Sequence, residues 1–335
     1  MNIAIFETKP WEQDMFKKEL KGQKLLFFKK PIQEVPLKDY KNINVITSFI
    51  TSKIDAKIIK QLPNLKLIAT RSTGFDHIDL KQATAQKIKV VNVPTYGENT
   101  VAEHAFALIL SLSRNIRKSY LKVLKRDYSI DGLKGFDLQD KTIGVIGCGH
   151  IGLHVIRIAR GFGMDVLVYD INQDKFLSET LNFKYASLNE ILKKSDVISM
   201  HLPYCKATHH IINKKNIKLI KPGAILINTA RGGLIETAAL IEALDKKILK
   251  GVGLDVLEEE NLLLEEHHLA TREKKNSKEM AMLIKNHKLL AKDNVIYTPH
   301  IAFYSQEAVD RITKTTIENI KAFIKGKTQN EVKGI

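Results

Sequence analysis

The 335-residue sequence predicts an α/β protein made of two doubly wound parallel sheets. Three observations lead there. Short β-rich runs alternate with longer helical patterns almost from end to end, the signature of parallel strands joined by crossover helices. The chain is longer than the roughly 250 to 300 residues at which single cores stop growing. Its composition, 44% hydrophobic and 27% charged, is that of a globular chain able to fill two cores.

The first array of strands is expected at residues 2–6, 24–28, 44–48, 66–70 and 90–93. The second is expected at 142–146, 166–169, 197–200, 224–228, 253–256 and 295–298. Between them lies YGENTVAEH, residues 96–104, in which Thr100 and Glu103 have the spacing of a capping box ahead of an apolar run. A long helix should start there, link the two domains and border the cleft between them. Residues 261–294, helical in pattern and rich in both charges, are expected to be an insertion on a βα connection.

Several function classes fall away on composition. Two cysteines, Cys148 and Cys205, are too few for a disulfide framework and lack metal-ligand spacing, so a reducing compartment is expected. The opening MNIAIFETKP has no basic region and only a short apolar run, and the longest near-apolar stretch, 105–112, is far below the roughly 20 residues of a membrane span. Neither export nor membrane insertion is expected, which places the protein in the cytoplasm. The net charge of +16 raises the question of nucleic acid, but the excess is spread thinly except from His104 to Arg126. There Arg114, Arg117, Lys118, Lys122 and Lys125 recur at three- and four-residue steps, as on one face of the long helix. With no nucleic-acid motif beside it, that stripe reads as a solvated face.

The strongest local signal is KTIGVIG running into Gly147-Cys148-Gly149-His150-Ile151-Gly152, followed by a helical pattern, a further strand and Asp170 at its end. A G-x-G-x-x-G between strand and helix suits a dinucleotide. Gly147 permits the tight turn, Gly149 lets a pyrophosphate approach the backbone, and Gly152 lets helix and sheet pack closely. Backbone N–H groups near His150 and Ile151 offer donors to the anion. Asp170 suits ribose hydroxyls and would repel a 2′-phosphate, so NAD is expected over NADP. His150 and His154 share a helix face but lack the zincin glutamate and lie where the pyrophosphate belongs, so no metal is expected. The neighbours His209 and His210, like His267 and His268, should point apart in any regular element.

Further strand ends carry His201-Leu202-Pro203, Asn228-Thr229-Ala230-Arg231, Asp255 and Pro299-His300. Ligands of open α/β sheets bind at the carboxyl ends of strands, which gathers these residues around one crevice. Arg231, Glu260 and His300 suit a keto acid. An arginine fork holds a carboxylate and its adjacent carbonyl, and a histidine exchanges a proton near neutral pH. Each could also be structural, Arg231 paired with an acid and His300 capping a strand.

At these residues the sequence closely resembles the D-isomer-specific 2-hydroxyacid dehydrogenases and, within them, the NAD-dependent D-lactate dehydrogenases. RSTGFDHIDL, VPTYGENTVAEHA, GVIGCGHIG, SDVISMHLPY, LINTARGGLIET, GLDVLEEE and TPHIAFYS follow in the family's order over nearly the whole chain. The resemblance implies a flavodoxin-like substrate domain of residues 1–98 and 302–335. It also implies a Rossmann NAD-binding domain of residues 99–301, and a homodimer built largely on the latter. It implies that Arg231 binds the substrate carboxylate and polarises the carbonyl, that His300 is the acid for pyruvate reduction and base for lactate oxidation, and that Glu260 pairs with His300. The run Glu258-Glu259-Glu260 leaves that register open, and Asn261 stands where many relatives have proline. By the same resemblance Thr229, Ala230, Arg231 and Asp255 border the nicotinamide, and Leu202, Pro203 and Thr208 line the cofactor elsewhere. Backbone N–H groups of Thr73 and Gly74 meet the substrate carboxylate, and Tyr96, Phe303 and Tyr304 form the pocket. The aromatic pair suggests a small apolar substituent such as the methyl of pyruvate. Larger 2-keto acids, hydroxypyruvate and phosphite are the alternatives, with a non-catalytic NAD-sensing corepressor module outside the enzymes. No nucleic-acid or membrane partner is expected.

Overall fold

The computed structural model describes residues 1–264 and 277–332, so much of the expected insertion, residues 265–276, lies outside the described residues. The chain divides into two compact units, Met1–Gly97 with Ser305–Ile335, and Glu98–Tyr304.

In the first unit, β1 (Asn2–Ile5), β2 (Lys24–Phe27), β3 (Val45–Ser48), β4 (Leu67–Thr70) and β5 (Lys89–Val91) form a parallel sheet in the order β2-β1-β3-β4-β5. This is the flavodoxin-like order. All four residues of β3 and of β4 are buried, as a strand covered on both faces requires. On one face Phe6, Ile46, Ile59 and Ile68 pack together; on the other Ile5, Phe16 and Leu67 meet Ile317 and Ile320 of the C-terminal helix, Gln306–Ile324. Helix starts follow local chemistry. Asp55 and Asp79 cap α2 (Ala56–Lys60) and α3 (Leu80–Ala85), each accepting from a backbone N–H at 2.9 Å. Ahead of them, α1 (Pro10–Glu19) begins with proline at its first position.

The second unit holds β6 (Thr142–Ile146), β7 (Asp165–Tyr169), β8 (Lys184–Tyr185), β9 (Val197–Met200), β10 (Ala224–Asn228), β11 (Leu249–Leu254) and β12 (Val295–Tyr297). They run parallel in the order β12-β11-β10-β9-β6-β7-β8, the Rossmann order. The strand order reverses between β6 and β9, and that is where a crevice opens for a ligand. The sheet is buried between two apolar layers, one around Ile198, Leu226 and Leu240, the other around Phe106, Val145 and Val155. Two strand readings change. The two-residue β8 is too short to leave a period in the sequence, and β11 starts at Leu249 because the exposed Lys250 masks the start of its apolar run.

The linking helix also differs from its sequence reading. The helix α4 (Glu98–Ser113) begins two residues before Thr100, which lies buried within the helix, and Glu103 accepts from the Asn99 side chain at 3.1 Å. Thr100 is therefore inside the helix and is not its N-cap. Asn115, at φ +53°, breaks the helix, and α5 (Ile116–Leu124) follows. The basic stripe is therefore split. Lys118 donates to Gly132 O at 3.0 Å, and Lys122 to Ser129 Oγ at 2.7 Å and to Asp131 O at 3.1 Å, so both pin the loop that follows them. Among the described residues, no helix is long and apolar enough to cross a membrane.

Candidate active site

The glycine turn is built as its spacing requires. Gly147 leaves β6 at φ +102°, and a Cβ there would lie 2.6 Å from His201 O across the point where the strand order reverses. Gly152 sits on α6 (His150–Gly161), where a Cβ would lie 2.1 Å from Gly147 O. Gly149, the residue that starts α6, is different: a Cβ there would meet nothing within 4 Å, and no side chain caps the helix. The first-turn N–H groups thus face open space without a side-chain acceptor, which is the arrangement an anion fills.

Asp170, just past β7, accepts from Cys148 N at 2.6 Å and Asn172 N at 2.8 Å. This ties the glycine loop to the end of the next strand and leaves carboxylate lone pairs for a diol. The following Ile171 is 85% exposed and brings no cation. Turn, uncapped helix and carboxylate together fit NAD. Burial, with the Asp170 charge nearby, pushes the Cys148 thiol up to about 11.

The other strand ends of the unit are ordered by their own polar contacts. His201 follows β9 and meets Ser199 Oγ at 2.8 Å; burial pushes its ring down to about 3, leaving it neutral. The Thr208 hydroxyl donates to Pro203 O at 2.7 Å and accepts from Cys205 N at 2.9 Å, so it closes its own turn beside Leu202 and Pro203. At the end of β10, Asn228 holds the next residues, accepting from Ala230 N and donating to Arg231 O. The buried Thr229 Oγ1 has no hydrogen-bond partner among the described residues. Arg231 donates to Ala230 O at 2.8 Å from a half-buried position.

Asp255, which sequence reasoning places beside the nicotinamide, has a wholly buried side chain with both oxygens hydrogen-bonded. One accepts from Thr298 Oγ1 at 2.5 Å and Ile301 N at 2.9 Å, the other from Ala302 N at 2.8 Å, and Asp255 O accepts from His300 N at 2.8 Å. It holds the loop after β12 in the shape that puts His300 at φ +53°, a left-handed conformation rare outside glycine. From there His300 Nδ1 reaches Glu260 Oε1 at 2.7 Å, while Glu260 Oε2 accepts from Leu257 N. Of the acid run, Glu259 is exposed at φ +52° and Glu258 is bonded to His210 and Thr237, so Glu260 is the partner of His300.

The adjacent pair His209 and His210 does not point apart as a regular element would have it. Their rings stack at 3.8 Å, because His210 adopts φ +49° and the alternation expected of a regular element does not apply. His267 and His268 lie outside the described residues. Among the described residues, no group of three metal-ligating side chains occurs.

In the other unit, Thr73 and Gly74 lie on the loop after β4. Thr73 Oγ1 donates to Val93 O at 2.8 Å, and Ser72 Oγ to Gly74 O at 2.6 Å. Tyr96 O accepts from Arg311 Nε. Arg71, which sequence reasoning passed over, anchors this loop: it is 1% exposed and donates to Glu12 at 2.9 Å and to Phe6 O at 2.6 Å. The only sequence signal for it is a charge set directly after the apolar strand LIAT. His77 and Asp79 serve the turn and the cap of α3. Phe303 and Tyr304, at the end of the Glu98–Tyr304 unit, meet edge to face at 5.7 Å, and Tyr304 is 57% exposed.

Comparison with known proteins agrees with this geometry. The family model described as the D-isomer specific 2-hydroxyacid dehydrogenase, NAD binding domain, matches residues 106–302. D-lactate dehydrogenase of Escherichia coli (strain K12) is 33% identical, covering 98% of each chain. Glyoxylate reductase of Pyrococcus furiosus is also 33% identical, over 96% of this chain and 87% of its own. Among solved structures, D-lactate dehydrogenase from Aquifex aeolicus, complexed with NAD and lactic acid, superposes with a TM-score of 0.88 at 38% identity, covering 97% of this chain and 96% of that one. The chain belongs to the D-isomer-specific 2-hydroxyacid dehydrogenases, a family of NAD-dependent oxidoreductases.

Proposed function

We propose that the protein is an NAD-dependent D-lactate dehydrogenase, interconverting pyruvate and D-lactate. The observation that carries this reading is the bond from His300 Nδ1 to Glu260 at 2.7 Å, in the unit that also holds the glycine turn, Asp170 and Arg231. Bound NADH supplies the hydride to the carbonyl carbon of the keto acid. Arg231 grips the carboxylate and steadies the negative charge that develops on the carbonyl oxygen. With Nδ1 committed to Glu260, His300 Nε2 is the atom left to deliver the proton to that oxygen, and to remove it in the reverse direction. Glu260 fixes the ring, and Asp255 holds the loop beneath it. Thr73 and Gly74 are assigned to the substrate carboxylate through backbone N–H groups, and Tyr96, Phe303 and Tyr304 to its apolar side. Of the cofactor contacts, Gly147, Gly149, His150, Ile151 and Gly152 are assigned to the pyrophosphate, Asp170 to the ribose, and Thr229 to Arg231 to the nicotinamide end. Leu202 and Pro203 are assigned to the cofactor elsewhere.

Steady-state oxidation of NADH with pyruvate, glyoxylate, hydroxypyruvate and 2-ketoisocaproate tests the substrate. The highest kcat/KM is expected for pyruvate. A preference for glyoxylate would move the assignment toward the activity named for the Pyrococcus furiosus relative. No turnover on any of them, with tight NADH binding, would favour a binding module.

The reading includes a homodimer. Ile116, Tyr120 and Leu124 of α5 are 55%, 62% and 61% exposed, and Tyr128 and Ile130 just beyond are more so, a run of apolar surface larger than scattered side chains explain. A second copy would cover it. Light scattering at micromolar concentration is expected to give twice the chain mass, reduced to one chain by Tyr120→Glu with Leu124→Glu.

A further inference from the structure

The acid run makes two histidine–glutamate pairs, and the chemistry above uses one. In the other, Glu258 Oε1 lies 2.7 Å from His210 Nε2, while Oε2 accepts from the Thr237 hydroxyl at 2.8 Å and Thr237 N at 3.2 Å. The Glu258 side chain is 14% exposed, and its backbone oxygen accepts from the buried Asn286 at 2.9 Å. His210 is held in turn: its N–H donates to Gly233 O at 2.9 Å, and its carbonyl accepts from Asn213 at 2.8 Å.

These contacts knit three separate strand ends. His210 follows β9, Gly233 and Thr237 follow β10, and Glu258 follows β11. Between the last two segments the backbones touch so closely that a Cβ on Gly232 would fall 1.9 Å from Leu257 C. Arg231 directly precedes that contact, and Glu260 stands two residues past Glu258. The placement of Arg231 relative to the Glu260–His300 pair therefore runs through this junction, and His210 with Glu258 is what clamps it.

We propose that His210 and Glu258 are positioning residues for the dehydrogenase reaction, holding Arg231 and Glu260 in the relative placement that turnover requires. Neither is assigned a contact with substrate or cofactor. The proposal rests on the dehydrogenase reading above and adds to it a reason for the first acid of the run. Active-site geometry tolerates little slack: a displacement of about 1 Å can lower turnover on the order of 100-fold.

The test uses the full-length protein with NADH and its best 2-keto acid. His210→Ala is expected to lower kcat about 10- to 100-fold while the KM for NADH stays within about twofold. His210→Gln, whose amide nitrogen can reach the same carboxylate oxygen, is expected to regain most of that loss, a rescue that a merely structural role does not require. Wild-type kcat in His210→Ala, or a His210→Gln protein as impaired as the alanine variant, would overturn the proposal. Should His210→Ala fail to fold, Glu258→Gln decides, with a fall in kcat of at least about threefold at unchanged NADH binding expected and an unchanged kcat overturning it. Inactivity of the wild-type protein on every 2-keto acid would overturn the dehydrogenase reading and the positioning role with it; unchanged kcat in an active background overturns the positioning role alone.

Discussion

The two histidine–glutamate pairs share one turn, one length, 2.7 Å, and a left-handed φ at the histidine, and differ in what else each carboxylate binds. Glu258 is enclosed, with both oxygens occupied by Thr237 and His210, and its histidine carries a further load through its backbone. Glu260 takes one bond from a ring and one from a backbone N–H. A carboxylate held by a ring and by both the hydroxyl and the N–H of one threonine serves as structure. The pair on the loop after β12 is the one assigned to exchange a proton. Residue type and bond length are the same in both, so the difference lies in what else each carboxylate must satisfy.

That contrast can be broken most sharply at His300. His300→Gln keeps a donor for Glu260 but removes the titrating ring, and kcat is expected to fall by about 100- to 10,000-fold, with NADH affinity by fluorescence titration unchanged. A variant with wild-type turnover would remove the distinction between the pairs. Next in size is Glu12→Gln, which leaves the buried Arg71 without its countercharge beneath the Ser72–Gly74 loop. Breaking a buried ion pair costs about 3–5 kcal/mol, so the urea midpoint should drop well outside error.

Glycine separates binding from folding in the same way. Gly149→Val, at an ordinary φ and in open space, is expected to leave the melting temperature within about 1 °C and to weaken NADH binding at least about tenfold, as measured by titration. Gly152→Ala, whose new methyl would strike Gly147 O, should instead lower stability.

The smallest effect concerns pH and the enclosed pair. Burial works to raise the Glu258 pKa, but the bonds from Thr237 and His210 prevail and hold it below its ordinary 4.5. A carboxylate depressed by folding contributes stability above its unfolded pKa and loses that contribution as pH falls through the folded one. The gap in melting temperature between wild type and Glu258→Gln should therefore be full at pH 6 to 7 and close on acidification below about 4.5. A gap independent of pH would mean that the charge on Glu258 carries no stabilisation.

Much of this was legible in the residues. Parallel strands buried on both faces are written as apolar runs such as LIAT and AILIN, and the glycine turn announces itself because three positions each exclude a side chain or need open space. Tertiary pairing was not legible. Nothing local tells which glutamate of three adjacent ones reaches His300, since that depends on a turn with Glu259 at φ +52°. Nor does the apolar pattern of 105–112 show that the helix breaks at Asn115, and nothing local to Asp255 shows that its carboxylate accepts from the loop bearing His300. Arg71 was missed because a buried arginine is readable only from its partners, Glu12 and Phe6, which lie about sixty residues away.

The raised thiol pKa in the glycine loop bears on how the protein would withstand oxidants and alkylating reagents. At neutral pH Cys148 stays almost wholly protonated, and the thiolate is the reactive form, so the cofactor loop is protected from such reagents. Cys205 is exposed, and its bond with the Thr208 hydroxyl draws its pKa down, which makes it the faster-labelling of the two. A fluorophore attached there would sit on the turn beside Pro203 and report the arrival of a dinucleotide without occupying the glycine loop.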